Sequence, residues 1–489
     1  MINLNQEAIK ILNDLDGGYM PGLAYDTAWA AMVPESNTSN KPLFPGSMLW
    51  LITNQYDDGS WGAEIDYSFD RLISTLASII ALKKTHKSEK FKNNIDRGEE
   101  YIWYNIQRLK EDPQETVGFE LLFPALMNEA EELGLNLPYR LKPFEPLKEK
   151  KMKLAISDLI ASRHSTVTFS LEFLGDCVNE NLLIKAQNAN GSISNSPAAT
   201  AFMLTKTFNE NAYNYLKLVL DFNGGTSMHF YPFDIFESSW VINFFMKAGI
   251  PVQNYYESKI ENLSKLWTDR GVSWSKLYNS PDLDDTTSVF NILYKTKHNV
   301  DPKVFEYYES DSHFSCYPIE RTSSPLVNIK VLKNVRDLKE YNRKDEIIEK
   351  ILKYLHTCRQ QNTYWVDKWH TSPYYCSGLA LEAISGLESN LSQRVLDWII
   401  NSQNPNGSWG LKIGNMEETS YALYALMDYH LNVEKIDISV ILNGLRYLED
   451  NYENNIYPGL WISKAVYCPL NIIKASILAT LYLGRKIKQ

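Results

Sequence analysis

At 489 residues the chain is too long for one ordinary core and calls for two domains or three. A net charge of −10 without any block of Lys and Arg excludes a general nucleic-acid binder. Five scattered cysteines, odd in number and lacking a Cys-x-x-Cys pair, exclude a disulfide framework and a structural zinc site. Aromatic residues, 12% of the chain with 30 Tyr and 12 Trp, exceed what packing requires, and aromatic faces stabilise cations.

Met1 to Asp16 reads as a polar amphipathic helix without the charged and apolar regions of a signal peptide. The longest nearly apolar run, Leu72 to Leu82, is too short to span a bilayer. A cytoplasmic protein is expected, with peripheral contact at a membrane surface left open. Residues 24 to 33 alternate small side chains with one Tyr and one Trp, as in a helix packed closely on others, and Asp26 is a cap or a buried hydrogen-bond partner. Next comes a loop followed by a helical run: Gln55-Tyr-Asp-Asp-Gly-Ser-Trp-Gly62, then Asp70 to Leu82. Gln403 to Gly410 repeats the loop ahead of Glu417 to Met427, and Gln187 to Ile193 is a weaker copy ahead of Ala198 to Thr205. Glycine makes such a turn, the preceding Asp or Asn caps it, and Gln and Trp can tie it to the neighbouring helix. Helical patterns are expected over 95–110, 149–162, 232–248, 344–357, 373–388, 437–450 and 469–484. Alternating strand patterns are scarce. The fold class is all-α, with helical hairpins repeated around a ring as an α/α-barrel. The copies are spread over more than one barrel's length, so two barrels are expected, with an apolar cavity between or within them.

Asp282-Leu283-Asp284-Asp285 stands between a Trp-bearing loop, Gly271-Val-Ser-Trp274, and an apolar stretch from Val289 to Leu293. Three carboxylates in four residues are costly unless one keeps its proton. Asp284, with an acidic neighbour on either side, is therefore a candidate general acid for a weakly basic substrate such as an alkene. The bland alternative is an acidic helix N-terminus, capped by Asp282 or Asp284.

With these features the sequence resembles the class II diterpene cyclases, especially the bacterial copalyl-diphosphate-synthase type, over about residues 23 to 483. The phrases are Ala24-Tyr-Asp-Thr-Ala-Trp29, Asp58-Gly-Ser-Trp-Gly62, Asp70 to Ala77, Val117 to Pro124, Tyr231 to Glu237, the Asp-x-Asp-Asp, Asp367 to Tyr375 and Glu417 to Ala422. The resemblance implies two α-barrel domains: a β domain of residues 1–44 and 256–489 carrying the acid, and a γ domain of 45–255 inserted in it, with the active site between. Asp284 would protonate the terminal alkene of a polyprenyl chain, assisted by Asp282 and Asp285, and Asn328 would hydrogen-bond the acid. Trp274, Trp365, Trp369, Tyr374, Tyr375 and Tyr421 are candidates to line the cavity or simply to pack the core. His370 is a local base or, by preference, a hydrogen-bonded core residue. Arg71, Lys368 and Lys464 are candidates for a diphosphate head group, and Glu64 for an accompanying Mg²⁺; surface pairing is the alternative for each.

Two departures from the bacterial pattern, at Lys464-Ala-Val-Tyr-Cys-Pro469 and Asn471-Ile-Ile-Lys474, open a second reading in which the same acid cyclises a prenylated aromatic acid. No Asp-Asp-x-x-Asp pairs with a downstream metal motif, so ionisation of a diphosphate is not expected. A non-catalytic prenyl-binding barrel is the third reading, and it leaves the acidic cluster unexplained.

Overall fold

The computed structural model describes residues 3–15, 17–36, 38–85, 87–141, 166–318, 320–410, 414–454 and 456–488. The helical pattern expected over 149–162 lies outside the described residues. The other expected helices are present, for example Asp234–Ala248, Lys344–Thr357 and Leu470–Lys488.

Helix packing closes two rings. In the first, Ala24–Met32 packs on Ser68–Lys84, which packs on Phe119–Glu132, then the 3₁₀ segment Thr166–Cys177, then Pro197–Lys206, which returns to Ala24–Met32. Pro45–Thr53, Lys92–Asn105 and Glu210–Phe222 lie against the outside of this ring. The second ring runs through Asp234–Ala248, Leu283–Lys295, Pro325–Asp337, Pro373–Ile384, Met416–Asn432 and Leu470–Lys488, and closes on Asp234–Ala248. Its outer layer holds Leu4–Asn13, Glu257–Leu266, Lys344–Thr357, Ser389–Asn401 and Ile438–Asn451. The molecule is thus an all-α double barrel.

This packing moves the expected domain boundaries at residues 44 and 255. Ala24–Met32, buried along its whole length, belongs to the inner ring of the first barrel. Asp234–Ala248 belongs to the inner ring of the second. Small side chains on every face of the first helix, and a run of Phe, Trp and Ile on the second, suit a helix enclosed on all sides better than one at a domain edge.

The repeated loops are the joints between outer and inner helices. Gln55 Nε2 donates to Gly59 O (2.8 Å) and to Asn94 O (2.9 Å); Gln403 Nε2 donates to Gly407 O (3.0 Å) and Val440 O (2.9 Å). Trp61 and Trp409 each donate a backbone N–H to the threonine of the following inner helix and the indole N–H to the outer helix before it. Gly59, Gly191 and Gly407 all have φ of +89°, and a Cβ there would lie 2.4, 2.2 and 2.5 Å from a carbonyl of the next outer helix. Two more joints escaped the sequence pattern. Trp365 donates to Ser377 Oγ and to Leu355 O, and the Val272 N–H to Thr286 Oγ1. In the first of these the turn is made by Gln361 and Asn362 at positive φ instead of glycine, which hid it.

Three inner helices begin on a serine cap followed by proline. Ser196, Ser324 and Ser372 accept from Ala199, Val327 and Tyr374 N–H, each followed by a proline in the first turn. One short hairpin, Trp461–Ile462 paired antiparallel with Val466–Tyr467, joins the barrels. On one side Ile462 N–H bonds Trp369 O of the second barrel (2.9 Å); on the other Val466 N–H bonds Asp70 Oδ1 (2.9 Å) and Ser463 O accepts from Val117 N–H (2.7 Å) of the first.

Candidate active site

The acidic motif starts an inner helix of the second barrel. Asp282 is the N-cap, its Oδ1 accepting the Asp285 N–H at 2.9 Å, and Asp284 and Asp285 fall in the first turn. The capping reading and the site reading therefore hold together, because the same helix end opens into a cavity between the barrels. Val117, Phe169 and Phe230 of the first barrel face Trp274, Tyr278 and Trp369 of the second across it, and the hairpin contributes Trp461 and Tyr467. All three carboxylates line it.

The three differ in their surroundings. Burial pushes Asp282 up to about 7, the Asp284 charge adding to the effect. Burial raises Asp285 well above the usual carboxylate range, and the charges of Asp282 and Asp284 raise it further. One oxygen of each, Asp282 Oδ2 and Asp285 Oδ1, is buried without a partner. Asp284 is bound differently: its Oδ1 accepts from Lys330 Nζ at 2.6 Å, and its backbone carbonyl accepts from the same nitrogen at 2.8 Å. Lys330 Nζ also lies 3.7 Å from the centroid of the Trp240 ring.

Several expected roles are corrected by these positions. Asn328 does not reach the acid; its Oδ1 accepts the Phe314 N–H, and its Nδ2 donates to Phe314 O and Ser324 O. Lys330 takes the contact instead, because two residues along a helix are turned by about 200°. Lys330, Lys333, Asn334 and Asp337 share one face of that helix at helical spacing, but Asn328 and Arg336 are polar as well, so the sequence did not single out Lys330. Lys464 is fully buried, donating to Glu172 Oε1 (2.7 Å), Ser196 Oγ (2.7 Å) and Phe169 O (3.0 Å), so its ammonium clamps the hairpin to the first barrel and does not line the cavity. Arg71 is spent on Ser60 Oγ at 2.6 Å and on the face of Tyr56. Lys368 pairs with Glu320 Oε2 (2.5 Å) and bonds Thr322 O (2.7 Å). Trp365 is a joint residue, and Tyr374 stacks on Trp398 at 4.9 Å, both away from the cavity.

His370 is the hydrogen-bonded core residue, its Nδ1 accepting the Ser372 N–H and its Nε2 facing Glu417 Oε1 at 3.1 Å. Tyr375 and Tyr421 line a second cavity on the far side of the acid, where Tyr375 OH accepts from Trp240 Nε1 at 2.7 Å. Trp274 and Trp369 do line the cavity between the barrels; Phe230, Tyr278, Tyr317, Trp461 and Tyr467 join them without having been singled out by the sequence. Asp26 proves to be a buried partner, its Oδ2 2.6 Å from His229 Nδ1. Glu64 is exposed and stands outside the cavity lining. Among the described residues no three His, Cys, Asp or Glu side chains converge as metal ligands. The donor set does not fit a protein-built Mg²⁺ site, and no step below is routed through a metal.

No family model matches the chain. Its structure superposes on ent-copalyl diphosphate synthase from Streptomyces platensis with a TM-score of 0.81, covering 99% of this chain and 100% of that one at 24% identity. That likeness sets the class: a helical double barrel of the terpene cyclase fold. The type B diterpene cyclase of Mycobacterium tuberculosis is 29% identical over 488 residues, 96% of each chain, and the peregrinol diphosphate synthase of Vitex agnus-castus is 32% identical over 398 residues, 78% of this chain and 48% of that one. The chain spans about half the length of the plant relatives it matches. The chain is thus similar to proteins named diterpene cyclase and copalyl diphosphate synthase.

Proposed function

We propose that this protein cyclises a geranylgeranyl chain by protonation, with geranylgeranyl diphosphate as substrate and a bicyclic copalyl-type diphosphate as product. The observation that carries the reading is the placement of Asp284 in an aromatic-walled cavity with two further carboxyls beside it. Protonating an alkene needs a carboxylic acid in a site closed to water, where no base reaches the developing cation. The Asp284 O–H bond breaks as a C–H bond forms at the terminal alkene, and the resulting tertiary cation is attacked in turn by the internal alkenes. Trp274, Trp369 and Trp461 offer π faces to the migrating charge. Loss of a proton or capture of water ends the sequence, and the diphosphate stays on the product.

The head group supports a second reading. No Lys or Arg lines the cavity among the described residues, and Lys464, Lys368 and Arg71 are each bound elsewhere. A prenylated aromatic acid would need no cluster of cations. The five cysteines are unpaired, which supports a reducing, cytoplasmic setting, and no described helix is long and apolar enough to cross a membrane.

The test is incubation of the purified protein with geranylgeranyl diphosphate and, separately, with a geranylgeranylated hydroxybenzoate, with and without Mg²⁺, followed by mass spectrometry before and after phosphatase. A bicyclic diphosphate from the first is the expected result. Cyclisation of the second alone would transfer the proposal to the aromatic substrate, and no cyclic product from either would remove the cyclase reading.

A further inference from the structure

The Asp284–Lys330 pair stands between two cavities. The Asp284 carboxyl lines the one between the barrels, while the Lys330 bound to it lines the second, inside the helical ring of the second barrel. Elsewhere the two spaces are divided by aromatic contacts, Phe236 on Trp240 (centroids 4.6 Å apart) and Tyr375 on Trp461 (5.2 Å). The Asp284–Lys330 pair is a polar link through an otherwise apolar partition. On its far side Asn243, Asn291 and Asn334 give the second cavity a polar wall.

An ammonium paired with a carboxylate poses a problem for the reaction, because in that state the proton sits on nitrogen and the carboxyl has none to give. Solvent stabilises such a pair while it reaches both charges. A hydrocarbon that fills the cavity removes this solvent, and two charges in a medium of low dielectric become costly relative to a neutral amine and a neutral acid.

We propose that Lys330 carries the proton in the resting protein and passes it to Asp284 when the prenyl chain fills the cavity, so that substrate binding itself arms the acid. The inference rests on the cyclase reading above and deepens it. In the transfer a Lys330 N–H bond breaks and an Asp284 O–H bond forms across the 2.6 Å contact, leaving amine and acid. The acid then gives its proton to the alkene and becomes a carboxylate. The amine recovers a proton from solvent in the second cavity, and the proton that the product cation sheds returns to solvent, so one proton enters and one leaves per turnover. Lys330 acts through Asp284 and does not touch the substrate.

The surrounding groups leave this role to Lys330. On the helix of Asp284, Asp282 and Asp285 are carboxyls raised by burial. Lys333, further along the helix of Lys330, bonds Glu382 at 2.7 Å, and Lys247 of Asp234–Ala248 shares that carboxylate. Asp367, Cys316, Tyr375, Cys376 and Tyr467 also face the pair, and burial raises all five toward their neutral forms. The ammonium within hydrogen-bonding distance of Asp284 is that of Lys330.

Two substitutions separate a proton carrier from a structural cation. Arginine keeps the pair but does not release its proton, and methionine removes the cation altogether. With the substrate that the wild-type protein cyclises, and with folding checked by circular dichroism, K330R should lose about 100-fold in kcat at unchanged KM and remain low at every pH. K330M should lose a similar factor at neutral pH and regain activity as the pH falls, because solvent then protonates Asp284 directly. Wild-type kcat in K330R would assign Lys330 a structural role, and a K330M with wild-type kcat and pH profile would remove it from the reaction. A wild-type protein that makes no cyclic product is a different outcome, the failure of the cyclase reading itself.

Discussion

Two lysines in this molecule are bound to carboxylates at nearly the same distance, with opposite surroundings. Lys464 and Glu172, 2.7 Å apart, are both 0% exposed, and the remaining donors of Lys464 are taken by a hydroxyl and a carbonyl. Lys330 and Asp284, 2.6 Å apart, keep 12% and 13% exposure, each on a different cavity. A pair sealed on every side holds two barrels together, since neither charge can leave without stranding the other. A pair bordered by open space can exchange its proton. The difference lies in what surrounds the pair, and the two pairs are therefore expected to fail in different currencies, one in stability and one in turnover.

The largest effect should come from the open pair. D284N is expected to lower cyclisation by roughly 10²–10⁴-fold, the usual span for a lost general acid, with a melting temperature near that of the wild type. Retained turnover would take Asp284 out of the reaction and leave the comparison without its catalytic half. The sealed pair should behave the other way round. E172A strands the Lys464 ammonium in the interior and is expected to cost about 3–5 kcal/mol in urea unfolding, while the molecules that stay folded continue to cyclise. If E172A instead abolished turnover at full stability, the head-group role first expected of Lys464 would return.

Asn328 sharpens the contrast on a single helix. N328A leaves the Phe314 N–H and carbonyl without their partner and should cost about 1–3 kcal/mol with kcat and its pH profile unchanged, whereas the Lys330 substitutions two residues away move both. The remaining effect is a slope of stability against pH. Asp282 stands at about 7 in the folded protein against about 3.9 for an unfolded aspartate, so the folded state binds more protons between those values. Unfolding free energy should fall as the pH rises above about 4, with Asp285 adding to the fall, and D282N should make the stretch below about 7 shallower.

The acid motif was legible because three adjacent carboxylates are improbable without a purpose, and the repeats because Gln, Gly and Trp each meet a separate geometric demand of one joint. The joint at Trp365 was not, since Gln361 and Asn362 supply a positive-φ turn that glycine usually marks. Of the basic residues singled out, Arg71 is held by Ser60 in the loop before its helix, whereas Lys368 and Lys464 carry partners 48 and 292 positions away, Glu320 and Glu172. No local pattern distinguishes a lysine that meets a ligand from one that meets a glutamate 292 positions away.

What the sequence determined by itself was the periodic part: amphipathic and small-residue helices, capped turns at regular intervals, and a carboxylate cluster at one helix start, all set by interactions within a few residues. Tertiary structure alone decided which ring each helix joined, that the hairpin at Trp461 would close the cavity, and that Lys330 would bind Asp284 in place of Asn328. Those outcomes depend on which faces meet when the rings close, and burial, charge pairing and exposure to a cavity exist only once they have met.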